Sequence, residues 1–111
     1  MSKTYRLGSI PEEAVAEQIT LDSDTGTAGS DALNHWQFEV FANGSTALLS
    51  APHTTDGAEI VANTAYVIPL DQNLDLAEDD VISVEVTKVG NPTPLAGATV
   101  TFGFAGPADL A

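Results

Sequence analysis

The chain has 111 residues, and its 16 acidic side chains against three basic ones give a formal net charge of −13. Nucleic-acid binding needs clustered lysine and arginine to replace the counterions of the phosphates, so this composition excludes a nucleic-acid partner and disfavours an anionic membrane surface. Cysteine is absent, which excludes disulfide bonds, thiolate metal sites and cysteine nucleophiles. The length and a hydrophobic fraction of 43% predict one folded domain.

The acidic composition has two explanations. A carboxylate-rich surface stays hydrated when salt screens charges, with a Debye length of about 3 Å at 1 M, so a halophilic or marine source fits. An ordinary acidic protein fits equally well. In both cases the carboxylates repel one another at low ionic strength.

The basic residues are concentrated at the amino terminus. Two of them lie within the first eight residues, and residues 9–111 carry one base, Lys88, against 16 acids, a net −15. This asymmetry predicts a short extended arm, residues 1–8, in front of a single domain, residues 9–111. Two bases would face an acidic surface, and two apolar side chains would act as anchors. These candidate contact residues are Lys3, Tyr5, Arg6 and Leu7.

Residues 9–21 carry two competing patterns. Ser9 and Glu12 match a helix capping box, and Pro11 suits a first helical turn. The alternating pattern of a strand has its apolar positions at Val15, Ile19 and Leu21. Glu17 is the misfit on that face, but a helix as short as this segment allows is marginal by itself. We favour the strand.

Four later segments alternate between apolar and polar residues, as half-buried strands do. They span residues 36–41, 66–70, 81–87 and 98–104. The first ends at the turn dipeptide Asn43-Gly44, and Pro69 places the second at a sheet edge or a strand end. The loop over residues 90–97 contains two prolines, and the strands on either side of it are predicted to form an antiparallel hairpin. Shorter strand candidates are residues 46–50, 58–62 and 73–76.

The shared parity of the four segments predicts the core. The predicted core residues are Trp36, Phe38, Val40, Tyr66, Ile68, Leu70, Ile82, Val84, Val86, Val100, Phe102 and Phe104. Short strands separated by turns predict an all-β fold, an antiparallel β-sandwich, rather than parallel βαβ units.

Acidic runs suggest calcium binding at first sight. Residues 22–26 begin like a calcium loop, but the EF-hand pattern needs a further ligand before its glycine and a glutamate at the twelfth position, where Leu33 stands. Residues 75–80 are better explained as a polar turn that leads into the next strand. For residues 22–26 a solvated loop is the favoured interpretation, and no metal site is predicted at either place.

Catalytic motifs do not emerge either. Ser50, His53 and Asp56 are close in sequence, but no strained nucleophile elbow accompanies them. His35 and His53 lack the spacing of zinc ligands. We predict no catalytic residue and no cofactor, and the protein is not expected to be an enzyme.

The order of the strand segments resembles that of a family of small virion proteins. The residues that carry this resemblance are 34–40 (NHWQFEV), 63–70 (NTAYVIPL), 73–90 (NLDLAEDDVISVEVTKVG) and 100–104. They are similar to the head decoration (cement) proteins of tailed bacterial and archaeal viruses, in which a segment like 73–90 leads into the closing hairpin of a jelly-roll-like sandwich. Asp79 stands where such proteins often have glycine.

This resemblance implies a jelly-roll-like β-sandwich and a non-enzymatic structural role. The implied partner is the major capsid protein on the outer surface of the virion, with the decoration protein often a homotrimer and without a nucleic-acid or membrane partner. The alternative is a receptor- or glycan-binding β-domain of a head or tail fibre. That alternative needs an exposed aromatic and polar pocket.

Overall fold

The computed structural model describes residues 2–26, 31–56 and 60–105. These ranges contain nine strands and no helix, so the all-β prediction is confirmed. The strands are β1 (Ser2–Ser9), β2 (Ala14–Asp22), β3 (His35–Ala42), β4 (Thr46–Ala47), β5 (His53–Thr54), β6 (Tyr66–Pro69), β7 (Asp75–Leu76), β8 (Val81–Val89) and β9 (Thr99–Ala105).

The strands form two antiparallel sheets that pack as a sandwich. Sheet A has the order β1-β8-β3-β4, and β5 also pairs with β3. Sheet B has β2 at its centre, paired with β6, β7 and β9. Non-consecutive strands are neighbours in both sheets, so the chain crosses repeatedly between the layers. The predicted antiparallel β-sandwich is confirmed.

The predicted amino-terminal arm is wrong for the residues that the structure describes. Residues 2–9 form strand β1, which pairs antiparallel with β8 from Ser2↔Thr87 to Ser9↔Val81. The chain bends at Pro11, but the residues before that bend form a strand at one edge of sheet A. The register shifts between Arg6 and Gly8, and Gly8 has a φ of 134°, which favours glycine.

Residues 9–21 carry both a helix and a strand pattern in the sequence, and in the structure a β-bulge explains the irregular strand pattern. The strand interpretation is confirmed for Ala14–Asp22, while residues 10–13 form the bend between β1 and β2. Ala14 and Ala16 are buried, and after a register shift between Ala16 and Gln18 the buried positions are Ile19 and Leu21. The inward parity therefore changes from even to odd residue numbers. Glu17 is exposed at this bulge and does not interrupt the apolar face.

The predicted hairpin of the last two long strands is wrong. β8 pairs with β1 and β3 in sheet A, whereas β9 pairs with β2 in sheet B. The loop over residues 90–98 crosses from one sheet to the other. Alternation predicts that both segments are strands, but it carries no information on which strands are neighbours.

Two of the three shorter strand candidates contain a strand in the structure. Residues 46–50 and 73–76 contain the two-residue strands β4 and β7. Residues 57–59 lie outside the described residues, and residues 60–62 do not form a strand. β5 is not among the predicted strands; its pairing with Gln37 and Phe38 makes it a short strand.

The core lies between the sheets and is most completely buried in the middle of the sandwich. Of the predicted core residues, Phe38, Val40, Ile68, Leu70, Ile82 and Val84 are buried. Trp36, Tyr66, Val86, Val100 and Phe102 are only partly buried and pack against that core. Phe104 is 41% exposed, so its assignment to the core is wrong: it stands on edge strand β9 and its ring borders an open cavity. Additional buried residues are Ile10, Ala14, Ala16, Ile19, Leu21, Ala42, Leu48, Ile60 and Leu76.

Candidate binding groove

An apolar cavity of about 510 Å³ opens between the two sheets on the side where β1 and β9 are the edge strands. Tyr5, Leu7, Trp36 and Val86 line it from sheet A, and Val100 of β9 lines it from sheet B. This volume falls within the roughly 300–1,000 Å³ that is typical of ligand pockets. Pro94 and Leu95 from the crossing loop close one end.

A second cavity, of about 250 Å³, adjoins the first along the same side. The two cavities share Leu7 and Val100, and the second continues to Phe102 and Phe104. The phenyl rings of Phe102 and Phe104 stack with centroids 5.7 Å apart. We call the two cavities together the edge groove, lined by Tyr5, Leu7, Trp36, Val86, Val100 and Phe102.

The loop wall of the groove is held by specific hydrogen bonds. The indole Nε1 of Trp36 donates to the carbonyl of Thr93 at 2.8 Å, and the Asn34 side chain accepts from the Asn91 N–H at 2.9 Å. The Thr25 hydroxyl donates to the Pro94 carbonyl at 2.6 Å. These bonds connect the loop to β3, to the segment before β3 and to the segment after β2.

The loop begins at Gly90, and the backbone there has a conformation and a close contact that only glycine allows. Its φ is 69°, and a Cβ on it would lie 2.0 Å from the Leu33 carbonyl oxygen. No side chain is compatible with that contact, so the tight exit from β8 requires glycine.

The predicted contact residues divide between two faces of β1. Tyr5 and Leu7 point into the groove, whereas Arg6 and Thr4 border a depression on the outer face of sheet A with Ser83. Lys3 has the parity of Tyr5 and is exposed. The structure therefore brings together the two apolar anchors but separates Arg6 from them.

Lys88 is a groove residue that sequence reasoning missed. Ile82, Val84 and Val86 share the inward face of β8, and Lys88 continues that parity to the rim of the larger cavity. The signal was present in the sequence, because a charged residue at an inward position indicates the place where the apolar face meets solvent. All three basic residues of the chain thus lie on β1 or on its neighbour β8.

Two carboxylates face each other on the outer side of sheet A. Glu39 of β3 and Glu85 of β8 are direct cross-strand partners. Burial raises the pKa of Glu39 above its ordinary value, and the Glu85 carboxyl raises it further through a hydrogen bond and its negative charge. Like charges directly opposite each other destabilise a sheet.

The histidines and the serine do not assemble a catalytic site. His53 Nε2 lies 2.5 Å from the Tyr66 hydroxyl and links β5 of sheet A to β6 of sheet B. The Ser50 hydroxyl donates to the Asp71 carboxylate at 2.7 Å and not to His53, and this bonding lowers the pKa of Asp71. His35 Nδ1 lies 2.9 Å from the Asp31 carbonyl oxygen.

The acidic runs have structural roles at the positions that the structure describes. The Asp80 carboxylate accepts from the Asn43 side chain at 3.0 Å and from the Ala77 N–H at 2.8 Å, which lowers its pKa and closes the turn before β8. The Asp24 carboxylate lies against Gly97. Across residues 2–26, 31–56 and 60–105, no group of three or more histidine or carboxylate side chains is arranged to hold a metal ion.

In comparisons with known proteins, no protein-family model, no curated protein and no solved structure matches this chain. Within the described ranges, the search for a helix long and apolar enough to cross a membrane is also negative.

Proposed function

We propose that this protein is a non-enzymatic virion structural protein that decorates and strengthens the outer surface of a tailed-virus capsid. It binds the major capsid protein through the β1 edge of its sandwich and acts as a homotrimer. The observation that carries this proposal is the character of β1, an edge strand that is basic and apolar on an otherwise strongly acidic body.

The physical argument begins with the cost of an exposed edge. An unpaired strand edge is prone to pair with other chains, and proteins normally cover or charge such edges. β1 carries Lys3 and Arg6, and its Tyr5 side chain is 50% exposed. A surface of this kind suits a partner with acidic and apolar groups, because the opposite charges steer the encounter and the apolar contacts hold the complex.

The experiment is cosedimentation with undecorated capsids. The Tyr5→Thr variant removes the exposed aromatic ring of β1, and Val67→Thr is the matched control, because Val67 is 47% exposed on edge strand β6. We expect capsid binding to weaken for Tyr5→Thr and to stay at the wild-type level for Val67→Thr. Failure of the wild-type protein to bind any cognate capsid would overturn the proposal.

The fibre alternative is favoured by one observation, the aromatic lining of the edge groove. Tyr5 and Trp36 lie in the larger cavity, and aromatic rings of this kind stack on sugars. Titration with glycans separates the two functions, because saturable glycan binding in the groove supports a receptor-binding domain and its absence supports decoration.

A further inference from the structure

We propose that the edge groove binds an extended, acidic segment of a partner protein, with apolar side chains of that segment in the groove and its carboxylates near Lys88 and Lys3. This inference rests on the proposed function only for the identity of the partner. The mode of binding follows from the groove itself.

The first step is the uneven closure of the sandwich. In its middle, Phe38, Ile19 and Val84 are completely buried. On the β1–β9 side, residues of the same inward parity remain accessible: Tyr5 is 50% and Phe104 is 41% exposed. The groove is therefore the side of the core that remains open to solvent, and apolar side chains of a partner would remove more of its apolar surface from water.

The second step concerns the shape of the occupant. Within the described residues, β1 pairs only with β8 and β9 pairs only with β2, so each has one free backbone edge beside the groove. Residues 100–104 of β9 span about 14 Å at about 3.4 Å per residue. An extended segment matches this length, can use the free backbone groups, and presents alternate side chains to the cavities.

The third step is charge. The body of the protein is acidic, yet Lys88 is on the rim of the larger cavity, and Lys3 shares the parity of Tyr5 on β1. An acidic segment is therefore attracted to this side and repelled by the rest of the surface. A second copy whose β1 paired antiparallel about the centre of the first would set Lys3 of each copy opposite Arg6 of the other, and this repulsion argues for a different protein as the occupant.

The experiment uses a ten-residue synthetic peptide in which valine and phenylalanine alternate with glutamate. Trp36 is the sole tryptophan of the chain and lies in the groove, so its fluorescence reports occupancy directly. We expect a saturable change in Trp36 emission. A peptide with lysine in place of glutamate, and one with the same composition in scrambled order, should bind at least about tenfold more weakly.

Two variants with the same net charge test the position of the cation. Lys88→Gln and Thr46→Glu each lower the net charge by one, but Thr46 is exposed on β4, at the opposite edge of sheet A. We expect Lys88→Gln to weaken binding of the glutamate peptide about threefold, a typical effect of one exposed ion pair, and Thr46→Glu to leave it unchanged.

Several results would overturn the inference. These are equal binding of the lysine and glutamate peptides, no response of Trp36 to the glutamate peptide, or a Trp36 change that depends on protein concentration alone, which would make a second copy the occupant. Peptide binding without capsid binding would retain this inference and reject decoration. Capsid binding without peptide binding would retain decoration and reject this inference.

Discussion

Truncation of Phe38 tests whether the sandwich is closed in its middle. The ring is completely buried on β3, between register partners Val86 on β8 and His53 on β5. Phe38→Ala removes a whole buried ring and leaves a cavity, a change that costs about 3–5 kcal/mol. Because domains of this size are stable by only about 5–15 kcal/mol, the variant loses about a fifth or more of its free energy of unfolding.

Phe104→Ala is the matched control, since it is the same substitution at a position of the same inward parity. Phe104 is 41% exposed and stacks on Phe102, so we expect a loss of about 1 kcal/mol or less. Urea unfolding followed by circular dichroism measures both variants. With a urea dependence of about 2 kcal/mol per molar, Phe38→Ala shifts the midpoint by about 2 M and Phe104→Ala by about 0.5 M or less. Equal shifts would mean that the β1–β9 side is closed in solution, and would refute the open groove.

Three further predictions concern charge. Glu39→Gln should raise stability at pH 7 by about 0.5 kcal/mol, because it removes the repulsion from Glu85. The raised pKa of Glu39 means that the folded state favours the protonated carboxyl, so the free energy of unfolding of the wild type increases as the pH falls toward 4.5. The difference between variant and wild type in urea unfolding should therefore disappear there. Burial lowers the pKa of His53, so the unfolded chain binds more protons than the folded one as the pH is lowered through 6.5. Stability should therefore decrease as the pH is lowered, and His53→Phe should flatten this slope in melts from pH 7.5 to 5.5. Sodium chloride should raise the melting temperature, because a net charge of −13 is self-repulsive at low ionic strength; a steady fall of the melting temperature up to 1 M salt would contradict this.

The strands were predictable because alternation is a local property. β3, β6, β8 and β9 each bury one parity against a single core, and that pattern can be read within each segment. Pairing is not local. The loop over residues 90–98 looks like a hairpin connection in the sequence, and only packing reveals that the strands on its two sides belong to different sheets.

Bulges and left-handed turns limit the sequence reading in a second way. The parity change in β2 follows from one extra residue near Glu17, and the sequence shows it only as an apparent misfit. Asp79 adopts a φ of 72°, the backbone conformation that glycine takes most easily, and its N–H donates to the Ile10 carbonyl at 2.8 Å. An aspartate can therefore occupy the glycine position of this turn when the neighbouring chain holds it there.

The sequence indicates two residues that line the candidate groove, but it does not predict the groove itself. The charge asymmetry directs attention to the first eight residues, and Tyr5 and Leu7 do line the edge groove. The groove itself depends on β1 and β9 being edges on the same side of the sandwich, and no residue pattern distinguishes an inward position at an edge from one at the centre. Val100 and Val84 have the same parity signal, yet only Val84 is completely buried. Incomplete burial of an inward apolar residue is therefore a property of sheet order, and here sheet order leaves apolar side chains of the core accessible beside Lys88.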